Sequence, residues 1–205
     1  MRQETASRAP GAPPRGAAPR ALLAIALLIA AAAAAVGFAR RLEDRRHLHT
    51  GAAAWIWYAR AGAKPRPIHF YAFREWDLAA APRRARALVF ADPEAVVWIN
   101  GRRAAELEQR PGDALASVDL APLLRGGRNR IVFEASSEDG IGGLLFWAEG
   151  DGIDSNAIAS GPGWRVTRDA GEAESGAGQP AVVWGRPPQS PWGYPELPPG
   201  AAAPR

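Results

Sequence analysis

The sequence predicts an all-β body, an antiparallel jelly-roll β-sandwich, preceded by one N-terminal transmembrane helix. Three observations carry this prediction. Ala95, Val97 and Ile99 fall on one face of an extended segment and Val96 and Trp98 on the other, because side chains alternate across a pleated strand. Asn100-Gly101 ends that run with a hairpin signal, since both residues tolerate positive φ. Upstream, residues 21–38 form an uninterrupted run of 18 uncharged residues that includes Leu22, Leu23, Ile25, Leu27, Leu28 and Ile29.

The elements follow in order. Residues 1–20 are rich in Pro, Ala, Gly and Arg, cannot bury enough surface to offset the entropy of ordering, and are expected to be a disordered tail. At about 1.5 Å per residue, residues 21–38 reach roughly 27 Å against a hydrocarbon core about 30 Å thick. A single-pass anchor fits that length. The rival reading is a cleaved signal peptide, because Ala31 to Ala35 supply small residues of the kind a signal peptidase requires. Residues 39–53 form a polar spacer.

Strand-like segments then recur at residues 54–58, 69–78, 85–90, 94–100, 116–119, 130–136, 143–149, 164–167 and 181–184. Many short strands separated by turn residues argue for a sandwich. Residues 80–87 are the strongest helical alternative, but they are short, contain Pro82 and lack an apolar stripe, so they read as a turn. Residues 168–179, rich in Gly, Ala and Glu, read as a loop. The proline-rich stretch from Pro187 is extended, with Trp192 packing back on a sandwich that spans residues 54–194, and residues 195–205 form a Pro/Ala tail.

Charge and composition exclude several functions. The chain has a net charge of +4, yet eight arginines up to Arg46 stand against Glu4, Glu43 and Asp44, a local +5 that leaves −1 for the remainder. The basic character belongs to the flanks of the apolar run, so the body lacks the electrostatic driving force for binding nucleic acid. Zero cysteines exclude disulfides and thiol catalysis.

The series Asp92, Asn100-Gly101, Asp119-Leu120, Leu123-Leu124, Gly127 with Asn129, and the flanking Trp55-Ile56-Trp57-Tyr58, Gly163-Trp164-Arg165-Val166 and Pro191-Trp192-Gly193 resembles the galactose-binding-like jelly-roll modules that accompany bacterial α-L-rhamnosidases and β-galactosidase-type glycoside hydrolases. The resemblance runs from about Ala54 to Gly193 and implies a non-catalytic carbohydrate-binding module, since the resembling enzymes hold their catalytic acids in other domains. Pro93, Ala95 and Phe73 depart from the pattern at an acidic, an aromatic and an arginine position. Those departures motivate the alternative of a sandwich that has lost sugar binding and serves as a protein-interaction or assembly domain in a cell-envelope complex. Four arginines precede the apolar run and four follow it, so the positive-inside rule gives a tie. The resemblance implies the orientation: cell inner membrane, with the body periplasmic or extracellular.

Eight tryptophans make stacking on pyranose rings the candidate chemistry, because indole faces pack on the C–H faces of sugars beside Asp or Asn hydrogen-bond partners. The candidate ligand residues are Trp98, Asp92, Asn100, Trp57 and Trp147. Trp98 leads, since strand alternation points it away from Val97 and Ile99. Asp92 and Asn100 could instead close turns, or offer oxygens to a structural calcium; no other cofactor is expected. Residues 151–156 resemble a cation loop but lack a downstream bidentate Glu, and His47-x-His49 lacks the third ligand that zinc needs. Glu134 and Glu149 are strand-borne acids that nothing in the sequence selects as a catalytic pair. The expected partners are a carbohydrate or an envelope protein, with the membrane held by the N-terminal helix.

Overall fold

The computed structural model describes residues 17–47, 49–59 and 66–199. Residues 1–16 and 200–205, which fall in the two expected tails, lie outside the described residues. The chain divides into two units, Met1–Arg45 and Arg46–Arg205.

The first unit is built on helix α1 (Ala17–His47), 31 residues that extend beyond the apolar run at both ends. Its segment Leu22–Arg40 is long and apolar enough to cross a membrane, and none of it is buried within the protein. Leucine and alanine favour the helix, and the flanking arginines are good helix formers too, so the helix does not stop where the apolar run stops.

The second unit is a two-sheet sandwich. Its strands are β1 (Trp55–Trp57), β2 (Ile68–Leu78), β3 (Ala85–Asp92), β4 (Glu94–Ile99), β5 (Arg102–Glu108), β6 (Ala116–Asp119), β7 (Gly127–Ser137), β8 (Gly143–Gly150), β9 (Arg165–Thr167), β10 (Gln179–Pro180) and β11 (Val182–Gly185). Two short helices, α2 (Ser155–Ile158) and α3 (Ala170–Ser175), lie between strands. One sheet has the order β11-β1-β8-β3-β6, the other β10-β9-β2-β7-β4-β5, and all named pairings are antiparallel. Between β3 and β4 the chain changes sheet at Pro93, which has no N–H to give to a ladder.

The sheets differ in how they meet solvent. In β7 buried and half-buried residues alternate after Asn129, and in β4 Ala95, Val97 and Ile99 are buried while Glu94, Val96 and Trp98 are not. One face of the six-stranded sheet therefore packs on the core and the other is open. By contrast, β3 and β8 carry near-continuous buried runs, Ala87 to Ala91 and Gly143 to Ala148. Their second face packs into a separate cluster of Trp55, Leu88, Phe90, Leu145, Trp147 and Trp192, so the C-terminal segment covers the five-stranded sheet. Leu115 N–H donating to the Glu196 carbonyl at 2.8 Å fastens that segment further along.

Between the sheets, Phe133, Phe146 and Trp164 form a ring triad with centroids 5.6 to 6.3 Å apart. Each such fully buried side chain contributes about 1.5–3 kcal/mol of transfer free energy. Trp57 lies edge-on to Phe70 at 4.8 Å and donates from Nε1 to the Gly140 carbonyl at 3.0 Å. The approach is close enough that a Cβ at Gly142 would sit 2.6 Å from the Trp57 ring.

Besides the single-turn α2 and the two-residue β10, two elements escape the sequence reading. β5 was not expected as a strand, because Arg-Arg-Ala-Ala-Glu-Leu-Glu carries no β-branched residue; it forms as the charged return arm of the Asn100-Gly101 hairpin, at the sheet edge. The expected loop 168–179 contains α3, with the Asp169 carboxylate capping the Glu172 N–H at 2.9 Å and Gly176 ending it at φ 80°. The strand expected at residues 85–90 does start at Ala85, after a non-helical link from β2 that fits the turn expected there.

Candidate functional site

A hollow of about 570 Å³ lies on the open face of the six-stranded sheet. Its floor comes from three adjacent strands: Tyr71 and Glu75 on β2, Arg130, Val132 and Glu134 on β7, and Trp98 on β4. One end is closed by the Asn100-Gly101 turn with Arg125 and Arg128, and one wall by Ala170, Ala173 and Glu174 of α3.

Register places these side chains together. Tyr71 pairs with Glu134, Glu75 with Arg130, and Trp98 with Val132, so all six floor residues share the outward parity. Between β4 and β5 the register shifts at Val97/Trp98, leaving Ala104 between the partners of those two residues; such a bulge turns the local strand. The indole of Trp98 donates from Nε1 to Glu134 Oε2 at 3.1 Å, which fixes its ring.

Arg130 ties the wall to the floor. Its guanidinium binds Glu75, with Nε to Oε1 at 2.8 Å, donates to the carbonyls of Ala173 (2.8 Å) and Glu174, and lies 5.9 Å from the centre of the Phe73 ring. A cation on the carbonyl end of a helix satisfies groups the helix leaves unpaired. Burial, followed by the neighbouring Glu134 charge, pushes the Tyr71 phenol above its ordinary value. Its hydroxyl lies 3.3 Å from His69 Nε2, and His69 Nδ1 lies 3.1 Å from Ser136 Oγ.

Of the five candidate residues, the structure brings Trp98 and Asn100 to this hollow. Asn100 adopts φ 52° and Gly101 φ 76°, as the hairpin demands. The Asn100 side chain is committed to the protein: Nδ2 donates to the Leu123 carbonyl and to Asn129 Oδ1 (2.9 and 2.8 Å), and Oδ1 accepts from Arg130 N–H at 3.0 Å. Asp92 lies elsewhere, at the far end of β4 from Asn100, where Oδ2 accepts from Trp192 Nε1 at 2.6 Å. Trp57 is 1% exposed in the central core, and Trp147 is 7% exposed in the cluster behind the five-stranded sheet. Asp92 and Asn100 thus do not share a site, and among the described residues no three His, Asp or Glu gather to hold a metal ion. Residues 151–156 spend their acids locally: Asp151 accepts from Arg84 N–H and Asp154 caps α2. Glu134 and Glu149 stand in different sheets, with Glu149 paired to Arg86.

Sequence reading missed Tyr71, Glu75, Arg125, Arg128, Arg130 and α3. The alternation of β2 and β7 gives their outward parity, but the register that sets Glu75 against Arg130 depends on which strands pair.

No protein-family model and no curated protein sequence matches the chain. Solved structures do. A GH78 family rhamnosidase of Bacillus sp. GL1 superposes with a TM-score of 0.61 at 23% identity, covering 73% of this chain and 20% of that one. The Streptomyces avermitilis α-L-rhamnosidase complexed with L-rhamnose gives 0.58 at 20% identity, covering 71% and 16%. A lectin from Pleurotus ostreatus in complex with GalNAc gives 0.58 at 17% identity, covering 75% and 49%. The chain therefore spans a fifth or less of these rhamnosidases and about half of the lectin. At these identities the likeness establishes architecture alone: the body is a galactose-binding-like jelly-roll β-sandwich.

Proposed function

We propose that the protein is a membrane-anchored, non-catalytic module that binds carbohydrate in the hollow over the open face of the six-stranded sheet. The carrying observation is the Trp98 indole held at the floor of a 570 Å³ cavity, beside the Tyr71 hydroxyl and surrounded by carboxylates and guanidiniums. That volume falls within the usual range for small-ligand sites, and an aromatic face among directed polar groups is the composition that sugars require. The lectin likeness supports the same reading. Binding by one indole and a few hydrogen bonds corresponds to about −4 kcal/mol, a millimolar site.

In this reading α1 is the single-pass anchor in the cell inner membrane and the sandwich stands on the periplasmic or extracellular side. An assembly domain would present an apolar docking patch. Among the described residues outside α1, Ile141 is the one large hydrophobic side chain counted as exposed, which favours sugar capture over protein docking. A glycan array followed by calorimetry on the full chain in detergent micelles tests the proposal. Binding to at least one sugar, lost in W98A, supports it; an array with no binder rejects it.

A further inference from the structure

The open face that carries the hollow has a charge gradient along its strands, and we infer that the ligand of the hollow is an acidic oligosaccharide whose uronic-acid carboxylate is read by Arg128 and Arg125. This inference rests on the carbohydrate reading of the same face and names the class of sugar.

The gradient is written along the strands. On β7 the outward residues run Arg128, Arg130, Val132, Glu134, and in the β4–β5 hairpin Arg102 and Arg103 lie at the turn while Glu94 and Glu108 pair at the opposite end. Arg128 and Glu134 are six residues apart on one strand, about 20 Å, which is room for several sugar units. Beyond Glu134, which lines both hollows, a second one of about 320 Å³ is walled by Glu94, Glu106 and Glu108. An anionic ligand is thus repelled from one end and attracted to the other.

Pairing decides which cations are available. Arg130 is saturated by Glu75 and the α3 carbonyls. Arg103 is paired with Glu106, and Arg102 donates to the Pro122 carbonyl. Arg128 and Arg125 are exposed, and among the described residues neither guanidinium has a carboxylate partner; Arg125 gives only Nε, to the Arg128 carbonyl at 3.1 Å. The planar guanidinium matches a carboxylate bidentately, and a carboxylate at this end leaves the next sugar ring free to reach Trp98.

The test compares tetragalacturonate and hyaluronan tetrasaccharide with their own methyl esters, by calorimetry on the full chain in detergent micelles. At least one acid is expected to bind five-fold or more tightly than its ester at low salt. That advantage should shrink as salt shortens the Debye length to about 3 Å at 1 M. R128Q is expected to bring the acid to the level of its ester, and R128E to reverse the preference. Esters binding as tightly as acids, or an acid preference that survives in R128E, overturn the inference and leave the sugar site standing. So does a chain that binds neutral glycans but none of these four probes. A sulfated carrageenan tetrasaccharide in parallel separates the two anions a guanidinium can read; tighter binding of the sulfate overturns the carboxylate assignment. Absence of binding to these probes and to every glycan on the array removes the carbohydrate reading itself.

Discussion

Trp192 reaches back across the five-stranded sheet to donate from Nε1 to Asp92 Oδ2 at 2.6 Å, while its ring stacks on Trp55 with centroids 4.4 Å apart. One contact thereby joins the C-terminal segment to the corner where β3 leaves its sheet. Burial raises the Asp92 carboxyl above its ordinary value, with the Trp192 N–H pulling it partly back and Asp139 adding a smaller upward push. A carboxyl with a raised folded-state pKa favours the folded state when protonated. That contribution is full below the ordinary carboxylate pKa and is lost as pH rises through the folded-state value. D92N keeps an acceptor for Trp192 and removes the titration. Melting temperatures measured from pH 7 down to pH 4 should show wild type gaining on D92N as pH falls; a constant difference across that window would contradict this.

The same contact predicts a large cost for losing the ring. Trp192 is 7% exposed, so W192A opens a cavity over Trp55 and should cost about 3–5 kcal/mol in denaturant unfolding. W192F, which keeps most of the packing but lacks the N–H, should recover more than half of that loss.

Asn129 is fully buried, and its side chain makes four hydrogen bonds. Its Oδ1 accepts from Asn100 Nδ2 and Arg125 N–H, and its Nδ2 donates to the carbonyls of Arg125 and Gly127. N129A strands several of these partners, at about 1–3 kcal/mol for each group left unsatisfied. Chemical denaturation should therefore show a loss of about 2–4 kcal/mol. N129A should also weaken any ligand held between the Asn100-Gly101 turn and Arg125.

Trp98 and Trp57 should separate cleanly in a paired experiment. W98A removes a half-buried ring from an open face, so stability should fall by less than about 1.5 kcal/mol while sugar affinity drops ten-fold or more. W57A empties a core site and should cost about 3–5 kcal/mol. Equal stability losses in the two variants would argue against the open-face assignment.

The apolar helix makes a prediction of its own. Ala31→Arg places a charge at the middle of Leu22–Arg40, at a cost of about 2.5–3.5 kcal/mol for membrane insertion. Alkaline carbonate extraction should leave the wild-type chain in the membrane pellet and release a substantial share of the variant. Mass spectrometry of the membrane fraction should find the N-terminal segment intact, whereas a chain beginning after Ala35 would mean a cleaved leader.

The sandwich was legible because its signals are local. Alternation in Ala95 to Ile99 placed Trp98 outward, Asn100-Gly101 fixed a turn that needs positive φ at two residues, and the apolar run 21–38 needed only composition. β5 and α3 were not legible for the converse reason. The intrinsic preferences of Arg102–Glu108 and Ala170–Ser175 are weak, and each element forms because a partner is already present: β4 for the first, Arg130 with the sheet for the second.

Sequence by itself determined the strand faces, the hairpin and the apolar helix, since each depends on residues adjacent along the chain. Tertiary structure alone decided which tryptophans are sealed in cores and which three, Trp76, Trp98 and Trp184, stay half-buried. It also decided that Asp92 joins Trp192 rather than Asn100, and that Glu75, Arg130 and α3 enclose the Trp98 hollow. The physical reason is that period-two alternation assigns a side chain to a face. Strand order, register and what covers each sheet then decide whether that face is core, sealed surface or open groove.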